Sequence, residues 1–225
     1  MGGANAGNVI LADIDGDGLD DYILVGANGA LNVWINNGDP AHPWRNVGEI
    51  AVGVDGASPQ NVILADVDGD GRVDYLRVDA DGAVQAWINT CNSPVSRRRR
   101  RELPGGRLAP RGVFCPINNP AHLKWTRAGL IIPHYDGASR EAVLFADTTG
   151  DGRADYLLVS DAGAVRAVSL QGDIMNPTRV NHGKGHPILQ NNVCRPWELT
   201  PRLRNYRGWS WQRKQGQRPV RRYRR

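Results

Sequence analysis

Short apolar runs recur along the chain and stop at the same two residues each time. Val9-Ile10-Leu11-Ala12, Val62-Ile63-Leu64-Ala65 and Val143-Leu144-Phe145-Ala146 each precede an aspartate, and each is followed by a glycine-rich acidic stretch that ends in Asp-Tyr. After the tyrosine the apolar pattern returns, as in Tyr75-Leu76-Arg77-Val78. Runs this short, bounded by glycine and aspartate, read as β-strands. A glycine turn and an alternating segment come next: Gly26 to Val33, Asp79 to Ala86 and Ser160 to Ala167. These predict a turn followed by a strand with one buried face.

The register between these features is strict. Trp34, Trp87 and Val168 each lie twelve residues after the loop tyrosine, and Trp44 and Trp125 each lie 22 residues before Asp66 and Asp147. One unit therefore reads as a Trp-led strand, a turn, the strand ending in Ala-Asp, the acidic loop, a Tyr-led strand, a glycine turn and a strand ending in Trp. Four strands in about 50 residues is the signature of a β-propeller blade, which buries its apolar faces (Ile10, Leu24, Val33; Ile63, Leu76, Val84; Leu144, Leu157, Val165) against its neighbours. On this reading the tryptophans pack between blades.

The first two loops begin 53 residues apart and the second and third 81 apart. The excess of 28 falls at roughly 91–116, which carries Arg97-Arg98-Arg99-Arg100-Arg101 and shows no periodicity. It is expected to be a disordered loop between blades. Residues 184–225, rich in Arg, Pro, Gln and Trp, are read as a disordered tail. The domain reading is thus blades over 1–183 with a basic insert at 91–116, then the tail.

Charge sharpens that division. The net +5 of the 225 residues splits into −11 for 1–90, +6 for 91–116, −2 for 117–175 and +12 for 176–225. Charge reversal and broken register together mark the insert and tail as foreign to the repeat, as a retained non-coding stretch and an out-of-frame end would be. No stretch approaches the roughly 20 apolar residues of a membrane span, and the first residues lack the features of a signal peptide. The three cysteines, Cys91, Cys115 and Cys194, are too few for a disulfide framework. They are expected to be free thiols, the alternative being a Cys91–Cys115 pair in an oxidising compartment.

The acidic loops carry the chemistry. Carboxylates at alternate positions repel one another unless a cation sits among them, and calcium takes six to eight oxygens at about 2.3–2.6 Å. Positions 1, 3, 5 and 9 supply side chains and position 7 a backbone carbonyl. The expected ligands are Asp13, Asp15, Asp17, Leu19 and Asp21 in loop 1, Asp66, Asp68, Asp70, Arg72 and Asp74 in loop 2, and Asp147, Thr149, Asp151, Arg153 and Asp155 in loop 3. Glycines at positions 4 and 6 allow the positive φ that so tight a loop needs. An EF-hand is excluded, because position 12 is Leu24, Arg77 or Leu158 where that loop needs glutamate, and the flanks read as strands. Thr149 in place of aspartate makes loop 3 the weakest expected site.

Other functions find less support. There is no Gly-x-Ser-x-Gly elbow, and Ser58 and Ser139 sit in repeated turns with no histidine at a repeated distance, so no enzyme is predicted. Arginines and aromatics in the tail suit single-stranded nucleic acid, but the acidic repeats oppose it and no folded nucleic-acid motif is present.

The pattern Asp-x-Asp-Gly-Asp-Gly-x-x-Asp after a strand ending in Ala-Asp resembles the FG-GAP/VCBS repeats of integrin-α-like β-propellers, over about 8–90 and 117–183. The expected fold is all-β, a partial propeller of about three blades. The resemblance implies that the loop aspartates bind calcium and stiffen each blade, that the protein is extracellular, and that it acts as a non-catalytic scaffold or binding surface for glycans or another protein. The repeats also resemble the accessory region of secreted fungal SGNH-type esterases and fungal propeller lectins, in which Trp34, Trp44, Trp87 and Trp125 would help seat a sugar. Such propellers have about seven repeats, so three imply a fragment of a larger secreted protein with open blade edges that invite pairing with another copy.

Overall fold

The computed structural model describes residues 3–91, 102–103, 107–108, 115–117, 120–135 and 137–170. The first blade is an antiparallel sheet in chain order: β1 (Val9–Ala12), β2 (Asp21–Val25), β3 (Leu31–Asn36) and β4 (Trp44–Ala51). The second repeats it with β5 (Val62–Ala65), β6 (Asp74–Val78), β7 (Val84–Cys91) and β10 (Leu123–Ile132). The third has β11 (Val143–Ala146), β12 (Asp155–Val159) and β13 (Val165–Val168) among the described residues. This is the all-β, partial-propeller architecture expected from the repeat.

The alternation of β2 and β3 sets their faces. Ile23, Val25, Leu31, Val33 and Ile35 are buried while the residues between them are not, as a period of two requires. The blades meet through those faces. One core joins Ile14, Ile23, Leu31 and Val33 of the first blade to Val62 and Tyr75 of the second. The other joins Val67, Leu76, Val84 and Ile88 of the second blade to Val143 and Tyr156 of the third. Each fully buried Ile, Leu or Val contributes roughly 1.5–3 kcal/mol, so neighbouring blades stabilise one another. Leu24 and Leu144 depart from the expected buried set: Leu24 lies on the face of β2 opposite Ile23 and Val25, and Leu144 is 54% exposed on β11, whereas Ile63, at the same position of the second blade, packs into the core shared with the third.

The phase of the unit also differs from the sequence reading. The Trp-led strand does not open a blade; β4 pairs with β3, and β10 pairs with β7. Each closes the sheet that precedes it, because the segment before it is a hairpin connection that returns the chain antiparallel. The first blade therefore has its four strands without a strand before Val9. The tryptophans follow the same logic. Trp34 and Trp44 both set their rings edge-on to Tyr22, and Trp87 and Trp125 both set theirs edge-on to Tyr75. Trp125 also reaches the first blade, donating its Nε1–H to the carbonyl of Ile50 at 2.8 Å.

The same shift relocates the basic insert. It lies within the second blade, in the connection from β7 to β10, and not between blades. Its described residues include a small strand pair, β8 (Glu102–Leu103) with β9 (Arg107–Leu108). Its ends are tied in. Cys91 and Cys115 form a disulfide (S–S 2.03 Å), which corrects the expectation of free thiols, and Cys115 and Ile117 are fully buried against the first blade's core. The sequence left this pair as the alternative, and the hairpin decides it by bringing residues 24 apart to a Cα separation of 5.7 Å. The arginine run 97–101, Cys194 and the tail lie outside the described residues.

Candidate metal centre

Each acidic loop connects the strand ending in Ala-Asp to the Tyr-led strand, and its first aspartate organises it. Asp13 accepts hydrogen bonds from the N–H groups of Gly16 (2.7 Å), Asp17 (3.1 Å) and Gly18 (2.8 Å). Asp66 does the same with Gly69, Asp70 and Gly71, and Asp147 with Gly150 and Gly152. The glycines at positions 4 and 6 have φ between 77° and 89° in all three loops, the left-handed conformation that turns successive amides inward.

Positions 3 and 5 continue the wrap. Asp15 accepts from the N–H of Asp17 and Asp68 from that of Asp70, each at 3.1 Å. Asp17, Asp70 and Asp151 accept from the N–H of residues 19, 72 and 153 at 2.9 Å. Position 9 does something that spacing alone did not suggest. The two oxygens of Asp21 accept from the amides of Ile14 (3.1 Å) and Asn36 (2.8 Å), and those of Asp74 from Val67 (2.9 Å) and Asn89 (2.8 Å). These buried carboxylates pin the loop's entry to the end of the blade's third strand.

One oxygen each from Asp13, Asp15 and Asp17 lies within 4.8 Å of the others, and the same holds for Asp66, Asp68 and Asp74. Opposite ligands of one calcium ion are separated by about twice its ligand distance, roughly 4.6–5.2 Å, so these groups have the size to surround one. Their electrostatics agree. Burial raises Asp15 to about 9, with the charge of Asp21 adding to it, and raises Asp21 to about 7 and Asp13 to about 6. In the second loop burial lifts Asp74 to about 8 and also raises Asp66, Asp68 and Asp70. Burial and mutual repulsion disfavour the ionised form of such crowded carboxylates, and a hard divalent cation among them favours it. The residues present therefore fit the ion.

Loop 3 is built differently. Thr148 stands where Ile14 and Val67 stand in the other loops, and both its N–H and its hydroxyl donate to Asp155. Burial works to raise Asp155, but hydrogen bonding, led by Thr148, holds the carboxyl below its usual range. Among the described residues no comparable carboxylate group forms around Asp147, Thr149 and Asp151.

The side chain of Arg72 is the participant that sequence reasoning missed, because position 7 was expected to offer only its carbonyl. Arg72 is buried and forms an ion pair with Asp70. Arg153, at the same place in loop 3, lies against Gly69, where a Cβ would stand 3.0 Å from its Cγ. The signal available was a cation where loop 1 has leucine.

The loops are also joined in series. The N–H of Val73 donates to the carbonyl of Asp13 (3.0 Å), and that of Ala154 to the carbonyl of Asp66 (2.6 Å). The insert adds its own tie, with the N–H of Cys115 donating to the carbonyl of Asp15 at 2.8 Å.

In a comparison with protein families, residues 13–77, from the first aspartate of loop 1 through most of β6, match the FG-GAP-like repeat. No curated protein matches the chain.

Proposed function

We propose that this chain is a non-catalytic, calcium-stabilised β-propeller repeat module that serves as a scaffold or binding surface in an extracellular protein. The observation that carries the reading is the convergence of Asp13, Asp15 and Asp17 within 4.8 Å, repeated by Asp66, Asp68 and Asp74. Bound calcium supplies positive charge at the centre of these buried carboxylates. Asp13 and Asp66 order the turn amides, Asp15 and Asp68 stand at its centre, and Asp21 and Asp74 lock the loop to the sheet. Loops 1 and 2 are the sites, with the carbonyls of Leu19 and Arg72 assigned to position 7 by the loop pattern, and loop 3 is the weakest. The Cys91–Cys115 disulfide supports an oxidising, extracellular location. Ligands for the surface are a glycan or another protein; the acidic repeats disfavour nucleic acid.

Calcium affinity on the order of 10⁻⁴–10⁻³ M suits an extracellular module. The test is thermal unfolding of the full chain in chelator and in millimolar calcium. A higher melting temperature with calcium, lost in Asp15→Asn, supports the reading. Identical melting curves with and without calcium would refute it.

A further inference from the structure

Loops 1 and 2 diverge at position 7, leucine in one and arginine in the other. If that position offered only a carbonyl, its side chain would be of no consequence. In loop 2 it is held firmly. Arg72 is 6% exposed, its Nη2 donates to the Asp70 carboxylate, and its Nε and Nη2 both donate to the carbonyl of Asn89, at 3.3 and 3.2 Å. Asn89 is a rigid anchor, since its own N–H is bound to Asp74 and its Nδ2 to the carbonyls of Ile14 (2.9 Å) and Val73 (3.1 Å). The two loops also gather different carboxylates. In loop 1 the position-5 Asp17 converges with Asp13 and Asp15, whereas in loop 2 its counterpart Asp70 is absent from the cluster and Asp74 completes it.

Resting on the calcium reading above, we propose that Arg72 is a tethered counter-ion of the second loop, which holds Asp70 when no ion is bound and competes with the ion for it. The guanidinium is anchored on the Asn89 carbonyl through Nε and Nη2, and Nη2 also donates to Asp70. A divalent ion gathers several oxygens at once but must first draw Asp70 away from Nη2. Loop 2 thus keeps its shape without calcium and loads at a higher concentration than it would without the arginine.

The experiment is a calorimetric calcium titration of the full chain, with melting in chelator as a second readout. Asp15→Asn disables loop 1 so that loop 2 is read alone. In that background Arg72→Leu, which installs the residue loop 1 already carries, tightens the remaining binding about tenfold and lowers the melting temperature in chelator. The reciprocal Leu19→Arg, made in the wild-type chain, weakens binding at loop 1, where Asn36 occupies the place of Asn89. Unchanged affinity in a folded Arg72→Leu chain overturns the proposal. Should that variant not fold, unchanged affinity at loop 1 in Leu19→Arg overturns it equally. If Asp15→Asn leaves the wild-type titration untouched, the calcium reading itself fails, an outcome separate from either of these.

Discussion

The phenol of Tyr75 donates to the carbonyl of Gly29, 46 residues earlier, at 3.1 Å. Tyr156 makes the same bond to Gly82 at 2.9 Å, so the loop tyrosine of one blade is latched to the glycine turn of the blade before it. The glycine is required by space as well as by its φ of 78°: a Cβ on Gly29 would stand 2.4 Å from the Tyr75 hydroxyl and 2.5 Å from the Ala57 Cβ. Gly163, the equivalent residue of the third blade, meets nothing within 4 Å among the described residues.

Substitution at the latch should therefore separate conformation from contact. Gly163→Ala bears only the left-handed backbone cost, about 1 kcal/mol, while Gly29→Ala adds overlap and loses more than ~2 kcal/mol. Tyr75→Phe, which removes a buried donor, costs about 1 kcal/mol. Urea unfolding of the three variants checks the order.

Calcium-free protein should lose stability as pH rises. Asp13, Asp21, Asp74 and Asp15 have folded pKa values of about 6, 7, 8 and 9 against 3.8 for an unperturbed aspartate, so the folded state binds more protons than the unfolded one between these limits. The derivative of unfolding free energy with pH is then negative. The stabilisation is complete below about pH 4 and is lost progressively as pH climbs through the folded values. Melting in chelator should fall from pH 5 to pH 8. With saturating calcium the carboxylates stay ionised and the fall should vanish, which makes the calcium effect largest at pH 8. A calcium effect that shrinks with rising pH would contradict this.

The disulfide closes a loop of 24 residues, and its removal should cost about 3 kcal/mol through the added freedom of the unfolded chain. Because the N–H of Cys115 also caps the carbonyl of Asp15, Cys115→Ser should weaken calcium binding at loop 1 more than at loop 2. Denaturant unfolding and calcium titration, each with and without reductant, measure the two effects.

Most of the sheet order and the three loops were legible because their signals are local. A strand of period two, glycine at fixed positions and aspartate on alternate residues each act over a few bonds. The position of the Trp-led strand was not legible, because Trp44 sits at one spacing from Trp34 and another from Asp66, and spacing alone cannot say to which strand it is bonded. Arg72 escaped for a related reason: its role depends on Asn89, seventeen residues on, brought beside it by the β6–β7 hairpin. Thr149 drew notice because it replaces an expected ligand, yet it is the hydroxyl of its neighbour Thr148 that reaches Asp155.

That β4 completes the sheet before it, and β10 likewise, fixes where this array can be cut. A segment starting at Trp44 would carry away the edge strand of one blade and leave its donor with three strands and bare amides along β3. Exchange or deletion of whole modules belongs between Ala51 and Val62, where the chain passes from one sheet to the next, and a library of chimeras spliced there would inherit every ladder intact.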